Sequence, residues 1–451
     1  MKDRITFKQI NQLAIPAIFS GISESIITLT DIAMVGNLKE NSVEALAAVG
    51  LVGSFLSGLL WILGQTKTSI SSIVSQHYGS GSLSSIKTLV PQALYINIGI
   101  GLFLLGSTLL FAENIFRLYN ASDLVLQNCI DYYSIRAFGF PLTLISLTLF
   151  GTFRGLQNTL WAMRCGIAAA VIHVGLNYIL IYGIDNIIPA LGLKGAAYSS
   201  LLAQLIMVIM AIYYYVNKTS FRFNPGNSIH PLIRPYLSLS FNFILRTATL
   251  NVAFFVANAY ATDYGPNYIA AQSILMNIWL FFSFFIDGYS GAGNAMAGRL
   301  IGEKNYLQLV TLSKDISKYS VIIALLLVIT SFIFYRPIGE LFNKDENVLN
   351  VFTSVFWIVL IMQPINTLAY IFDGFFKGMG DAKLLRNNLI ISTFLGFVPT
   401  LLISDYFGLK IHGIWLAFGV WMMLRSFPLM YIFNHRMKSK INFKKKATIF
   451  R

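Results

Sequence analysis

Two carboxylates interrupt a long apolar stretch near the start of the chain. Glu24 and Asp31 fall within "IPAIFSGISESIITLTDIAMV", where helical spacing places them on one face with Ser20 and Thr28. A carboxylate inside hydrocarbon costs roughly 3 kcal/mol on membrane-insertion scales, so this face is expected to contact protein or water. A carboxylate removed from water also ionises less readily, which suits it to exchange a proton near neutral pH. Asp31 is therefore the leading candidate for a coupling group that binds a proton or a cation.

Glu24 has two competing interpretations. It lies on the same face as Asp31, nearer the middle of the apolar stretch, and could extend a proton path or meet a cationic substrate. It could equally form a buried ion pair with Lys67, which lies in "ILGQTKTSISS". For Asp31 the competing interpretation is a purely structural partner on a neighbouring helix.

The composition indicates which class of protein positions these groups. Of 451 residues, 56% are hydrophobic and 12% are charged, whereas a soluble domain carries about 25% charged residues. Apolar runs long enough to cross a bilayer recur along the whole chain. We therefore predict an all-α polytopic membrane protein with twelve transmembrane helices, near residues 10–36, 46–74, 88–111, 129–150, 162–184, 192–216, 234–261, 268–296, 319–337, 348–371, 386–404 and 411–433.

The net charge of +14 is unevenly distributed. Most Lys and Arg fall in loops on one side of the predicted spans, and the C-terminal "NHRMKSKINFKKKATIFR" adds a dense group on that side. This positive-inside pattern predicts that both termini are cytoplasmic, with the basic tail against anionic membrane lipids. Nucleic acid is not an expected partner, because no soluble domain is predicted to present the charge.

The sequence contains two related halves. "FGFPLTLISLTLFGTFRGLQN" from residue 138 aligns with "IMQPINTLAYIFDGFFKGMGD" from residue 361, and one constant offset pairs Pro141 with Pro364 and Gly151 with Gly374. We therefore predict two six-helix lobes in the same orientation, a cytoplasmic linker and a basic tail, with limits at 10–216, 234–433, 217–233 and 434–451 respectively. Parallel repeats of this kind are typical of secondary transporters that move two lobes around a substrate site.

Several segments resemble the multidrug and toxic compound extrusion (MATE) family: "IPAIFSGISESIITLTDIAMVG", "ALAAVGLVGSFLSGLLWILG", "FRGLQNT" and "YIAAQSILMNIWLFFSFFIDGYSGAGNAMAGRLIG". "FILRTATLN" and the triplet "IDG" are similar to its DinF-like branch. The resemblance covers nearly the whole chain. It implies a monomeric antiporter of the inner membrane that exchanges a proton or a sodium ion for a small organic, often cationic, compound without a cofactor. It also implies that Asp31 is the proton-binding residue.

The fifth predicted span departs from the DinF-like pattern. Members of that branch usually carry Asn and then Asp four residues apart, whereas "IHVGLNYILIYG" places His173 and Asn177 at these positions. Because Asn cannot titrate, a two-carboxylate site is in doubt and the choice between proton and sodium stays open. His173 can titrate near physiological pH and faces the same way as Asn177. It is a candidate for coupling, with a hydrogen-bonded structural histidine as the alternative.

The second half carries polar groups of its own. Arg246 lies in the seventh predicted span, and Asp287 and Asn294 share one face of the eighth. Because an arginine cannot lose its proton it needs a partner, for which Asp287 is the first choice. We expect a structural pair here, with a second coupling site as the alternative. Asp373 and Lys377, four residues apart, are expected to pair locally.

One function is favoured over three others. The chain is predicted to be a multidrug efflux antiporter with alternating access, in which aromatic side chains contact a flat cationic substrate. A lipid-linked oligosaccharide flippase would need more basic residues in its cavity, and a non-transporting receptor or scaffold is a further alternative. An enzyme is not expected, since the sequence shows no Ser/His/Asp set, phosphate-binding loop or metal-ligand spacing. Cys129 and Cys165 are predicted to be free thiols.

Overall fold

The computed structural model describes residues 4–38, 41–184 and 187–449, and it describes the side chains within these ranges except at 24, 25 and 443–449. Helices dominate, because a helix satisfies its own backbone hydrogen bonds where no water is present. The described residues contain no β-strand, and one isolated bridge joins Ile184 to Ile188. The all-α prediction is confirmed.

Nine helices form the first half of the described chain. They are α1 (Phe7–Val35), α2 (Ser42–Leu63), α3 (Gln65–Gly79), α4 (Leu89–Leu110), α5 (Ala112–Leu118), α6 (Asp123–Arg136), α7 (Gly139–Gly155), α8 (Leu160–Tyr182) and α9 (Gly192–Lys218). A short 3₁₀ turn at Leu83–Ile86 precedes α4.

Nine helices also form the second half of the described chain. They are α10 (Ile233–Asp263), α11 (Pro266–Gly302), α12 (Tyr306–Ile333), α13 (Tyr335–Phe342), α14 (Glu346–Ile361), α15 (Gln363–Met379), α16 (Ala382–Ile391), α17 (Val398–Tyr406) and α18 (Lys410–Ile449). A π-helical segment, Ser392–Phe397, joins α16 to α17.

Up to twelve candidate spans account for most of these helices, with the short α5 and α13 outside them. Within the described ranges, ten segments are long and apolar enough to cross a membrane singly, and two bent pairs bring the number to twelve. The pair α6 and α7 bends by 46°, and the pair α14 and α15 bends by 50°. Pro141 and Pro364 follow these two breaks directly, at equivalent positions of the repeat. Proline lacks a backbone N–H and is tolerated in a first helical turn, so the bends arise where the sequence repeats it.

Contacts between residues divide the chain into two compact units. The N-terminal unit comprises Pro16–Val74 and Ser82–Leu237, and the C-terminal unit comprises Met1–Ile15, Ser75–Gly81 and Ser238–Arg451. The second unit therefore draws short segments from the first half of the sequence. The lobe, linker and tail limits drawn from the sequence stay a prediction.

Each unit has an apolar core of its own. In the N-terminal unit, Phe55, Phe116 and Tyr133 pack edge to face, with ring centroids 5.3–6.1 Å apart. In the C-terminal unit, Trp279 and Phe418 lie at the centre of a larger aromatic cluster, with ring centroids 5.3 Å apart. Both free cysteines are buried, as the absence of a disulfide framework predicts.

Glycines of the repeat make the same close contact in each unit. A Cβ atom on Gly151 of α7 would lie 2.4 Å from the carbonyl oxygen of Lys67 on α3. A Cβ atom on Gly374 of α15 would lie 2.4 Å from the carbonyl oxygen of Ser290 on α11. The two contacts are related by the constant offset found in the sequence. The repeated glycine is therefore explained by the close approach of one helix backbone to another.

Replacing Gly374 with alanine tests this packing. We expect Gly374→Ala to destabilise the protein by about 2 kcal/mol, because the added methyl group overlaps a backbone oxygen that cannot move freely. The measurement is the thermal melting temperature of the purified protein in detergent. The control is Gly291→Ala on α11, since a Cβ atom there meets nothing within 4 Å. Equal melting temperatures for the two variants would contradict the packing argument.

Candidate functional site

Four helices of the N-terminal unit converge on the Asp31 carboxylate. Asp31 lies near the end of α1, and its side chain is buried. His173 and Asn177, one turn apart on α8, approach from a second side. Ser200 of α9 and Tyr132 of α6 approach from two more. The structure thus brings together Asp31, His173 and Asn177, three of the four coupling candidates selected from the sequence.

Every partner of Asp31 offers a hydrogen-bond donor. The Asn177 amide donates to Oδ1 over 2.8 Å, and His173 Nε2 lies 3.1 Å from the same oxygen. The Ser200 hydroxyl donates to Oδ2 over 3.1 Å, and the Tyr132 hydroxyl donates more weakly over 3.4 Å. A buried carboxylate persists only when such donors replace its water shell, so the arrangement explains how Asp31 is tolerated inside the helices.

A further serine orients the amide. The Ser199 hydroxyl donates to Asn177 Oδ1 over 2.5 Å, which turns the NH₂ group of Asn177 toward Asp31. An amide oxygen and nitrogen cannot exchange places here without losing both bonds. Asn177 is therefore held as a donor to the carboxylate.

The histidine contacts favour the tautomer that carries its proton on Nε2. Nε2 lies 3.0 Å from Ser200 Oγ and 3.1 Å from Asp31 Oδ1, while Nδ1 is buried with no hydrogen-bond partner. A proton on Nδ1 would leave a buried donor unsatisfied, which costs more than a vacant acceptor. The imidazole therefore directs an Nε2–H donor toward Asp31 and Ser200.

The arrangement allows one proton to be taken up and shared. If Asp31 is protonated, its new O–H needs an acceptor, and Ser200 Oγ, which can both donate and accept, lies within hydrogen-bond distance of Oδ2. The described part of the chain contains no group of three or more His, Cys, Asp or Glu side chains that could hold a metal ion.

Two other selected residues in this unit stay untested. The side chain of Glu24 lies outside the described residues. Lys67 places its ammonium group 5.8 Å from the ring centroid of Phe150, a cation–π contact. Pairing of Glu24 with Lys67 therefore stays a prediction.

In the C-terminal unit, the predicted ion pair between Arg246 and Asp287 is wrong. Arg246 binds Asp373, with Nη2 2.6 Å from Oδ1, and the expected carboxylate, Asp287, is exposed. Sequence spacing did not show this because α10 and α15 are far apart in the chain. The predicted local pair is confirmed, since Lys377 Nζ lies 2.7 Å from Asp373 Oδ2. Asn294 is buried on α11, the helix that packs closely on α15.

Ser199, Ser200 and Tyr132 were missed from the sequence. Serine and tyrosine are common in transmembrane helices, and only the pairing of α6 and α9 with α1 shows which of them reach Asp31. The adjacent serines in "GAAYSS" were the one available signal, because small polar residues often line helix–helix contacts in membranes.

Comparison with known proteins supports the resemblance noted in the sequence. The MatE family model matches residues 16–179 and 242–402. DNA damage-inducible protein F of Escherichia coli (strain K12) is 26% identical over 440 residues, covering 96% of this chain and 93% of the relative. The probable multidrug resistance protein NorM of Neisseria meningitidis serogroup B is 22% identical, covering 93% and 92%. A crystal structure of MATE in the bent conformation superposes with a TM-score of 0.89 at 19% identity, covering 97% and 96%.

Removing the Asn177 amide tests whether Asp31 is ionised in the folded protein. We expect Asn177→Ala to destabilise the protein by about 2 kcal/mol at neutral pH, because a buried carboxylate loses a charge-assisted donor. The loss should shrink as the pH falls, since a protonated Asp31 no longer needs that donor. Thermal melting across a pH series measures both effects. Asn217→Ala on α9 is the matched control, because Asn217 is exposed and bonds only its own helix. A pH-independent loss would contradict the ionised state.

Proposed function

Because the chain belongs to the MatE family of multidrug efflux transporters, we propose that it is a secondary antiporter in which Asp31 exchanges a proton for an organic substrate. The protein is a multi-pass membrane transporter and not an enzyme. The coupling ion and the transport cycle are the parts that this proposal adds.

The observation that carries the proposal is the donor set around Asp31, in which the described residues place no lysine or arginine. The hydrogen bonds to the carboxylate come from His173, Asn177, Ser200 and Tyr132. A carboxylate paired with a buried arginine or lysine would be locked in its ionised form. Without such a cation, the charge of Asp31 can be cancelled by a proton at modest free-energy cost.

The same donor set favours a proton over sodium. A hard cation is held by several oxygen ligands that point toward it. Around Asp31, the Asn177 oxygen accepts from Ser199 and faces away, while the nearest group on α8 is an imidazole nitrogen. The replacement of the family's usual second carboxylate by Asn177 removes another oxygen ligand. We therefore propose coupling to protons.

The proposed cycle uses the two charge states of Asp31 in turn. In the outward-open state Asp31 takes up a proton, and its neutralisation weakens substrate binding so that the substrate leaves. The lobes then change access, the proton is released to the cytoplasm, and the ionised site binds the next substrate. The Ser200 hydroxyl can donate to the ionised Asp31 and accept a hydrogen bond from the protonated one.

The setting of this activity completes the proposal. We place the transporter in the inner membrane as a monomer, with both termini in the cytoplasm and the basic tail against anionic lipids. The substrate is a small organic compound, and the abundant aromatic side chains favour one with a cationic group.

Neutralising Asp31 tests the proton step. In proteoliposomes loaded with ethidium, an inward proton gradient should drive efflux by the wild type, and Asp31→Asn should slow this efflux by about a hundredfold or more, since the amide cannot take up the proton. A sodium gradient of equal size should drive no efflux by either protein.

The control is Glu113→Gln, which neutralises an exposed carboxylate paired with Arg117 in the same unit. It should transport within about twofold of the wild type, as expected for a surface pair. Proton-driven efflux that survives in Asp31→Asn would contradict the proposal, and sodium-driven efflux by the wild type would replace the proton with sodium.

A further inference from the structure

Four charged side chains meet inside the C-terminal unit. Arg246 comes from α10, Asp373 and Lys377 from α15, and Arg425 from α18. Arg246, Asp373 and Arg425 are 3–5% exposed, and the Lys377 side chain is 19% exposed. We call this group the basic cluster. Three of its four members are cations.

Asp373 forms ion pairs with two of the three cations. Its Oδ1 is 2.6 Å from Arg246 Nη2, and its Oδ2 is 2.7 Å from Lys377 Nζ. Each carboxylate oxygen is thus bound to a separate cation. A third cation has no oxygen of Asp373 left in an equally favourable position.

Arg425 is the one cation of the basic cluster that forms no ion pair with Asp373. Its Nη1 faces the sulfur of Met422 at 3.3 Å, and its Nη2 is buried with no hydrogen-bond partner. The guanidinium carbon lies 4.7 Å from the ring of Trp421 and 5.7 Å from the ring of Tyr370. No carboxylate in the described part of the chain lies within ion-pair distance of it, although the exposed Asp287 acts on it from further away.

A buried guanidinium without an anion is costly. Arginine stays protonated, so the charge cannot be removed by losing a proton. Leaving a buried charge uncompensated costs several kcal/mol, and contacts with a thioether and two aromatic rings recover only part of that. A guanidinium fork binds both oxygens of a carboxylate, sulfonate or phosphate group, which is the chemistry that Arg425 lacks in its surroundings.

We propose that the basic cluster is an oxyanion site, in which Arg425 binds the carboxylate, sulfonate or phosphate group of an aromatic organic ligand. Arg246 also has a buried N–H, on Nε, with no hydrogen-bond partner, so a second donor is available. Tyr370, a partly exposed ring already against Arg425, supplies a flat apolar surface for the rest of the ligand.

A local irregularity in the fold supports this site. The π-helical segment Ser392–Phe397 packs on α18, where Thr393 accepts a hydrogen bond from the Trp421 indole over 3.0 Å. One turn earlier, the Asn388 amide donates to the backbone carbonyl of Arg425 over 3.2 Å. Single π-helical turns are frequent at functional sites, since they redirect side chains that a regular helix would place elsewhere. Here the segment positions the ring and the backbone beside the unpaired guanidinium.

The inference deepens the proposed function and rests on it for the identity of the ligand as a substrate. It extends the proposed substrate class to compounds that carry an anionic group, among them zwitterions that also carry a cation. Binding itself needs no ion gradient and can be measured apart from transport.

The test compares three dansyl compounds of similar size and different charge: dansylglycine, its uncharged amide and cationic dansyl ethylenediamine. Energy transfer from tryptophan to the dansyl group reports binding to the full chain in nanodiscs of zwitterionic lipid. We expect dansylglycine to bind at least about tenfold more tightly than the other two, a difference of about 1.4 kcal/mol. Inorganic phosphate should displace it from the wild type.

Two variants assign the preference to Arg425. Arg425→Gln should abolish the tenfold preference, and Arg425→Lys should recover part of it. The control is Arg436→Gln on the same helix, because Arg436 forms a half-exposed pair with Asp381 and should leave the preference intact. Phosphate competition on the wild type keeps the test valid if Arg425→Gln does not fold. Equal binding of the three compounds, or an unchanged preference in folded Arg425→Gln, would overturn the inference.

A lipid headgroup offers the same chemistry as a soluble oxyanion, and nanodisc composition separates the two. If anionic lipid in the disc displaces dansylglycine from the wild type, the site holds a headgroup; if it does not, the site holds a soluble ligand. Arg425-dependent binding without efflux of any compound under a proton gradient would sink the proposed function while keeping the oxyanion site. Proton-driven efflux by a protein that binds the anionic compound no more tightly than the other two would overturn the oxyanion site while keeping the proposed function.

Discussion

The free-energy cost of an ionised carboxylate away from water determines how the N-terminal unit is built. Asp31 is buried among transmembrane helices, and its charge is tolerated only because donors from three other helices replace the lost water. Those donors fix the orientation of α6, α8 and α9 around the end of α1. The same donors leave the carboxylate without a cation, so the group that binds these helices together can also change its charge.

The C-terminal unit also contains a buried carboxylate, but cationic side chains stabilise it. Its buried carboxylate, Asp373, is held by Arg246 and Lys377, which keep it ionised. Cations then exceed buried anions, and Arg425 is the residue that needs a further anion. The two units thus share a repeated backbone but differ in electrostatics: we propose that a proton neutralises the buried carboxylate of one and that a ligand neutralises the excess positive charge of the other.

The sequence predicted the parts of this structure that depend on local pattern. Apolar length predicted the spans, and the constant offset paired the prolines and glycines of the two halves. Helical spacing and the family resemblance selected Asp31, and the resemblance drew attention to His173 and Asn177. The sequence did not predict which helices face each other. That is why Arg246 was assigned the wrong carboxylate and why Ser200, an ordinary serine by sequence, was overlooked. Contacts between helices that are far apart in the chain depend on side-chain packing. The hydrophobic periodicity of the sequence carries no information about that packing.

The most direct test of the central claim is an infrared titration that follows the carbonyl absorption of protonated carboxyl groups in the wild type and in Asp31→Asn. The account predicts a band that grows in the wild type as the pH is lowered, is missing from the variant, and is unaffected by saturating sodium at constant pH. Identical spectra for the two proteins would contradict proton uptake by Asp31. Loss of the band on adding sodium would show that sodium competes for the same carboxylate.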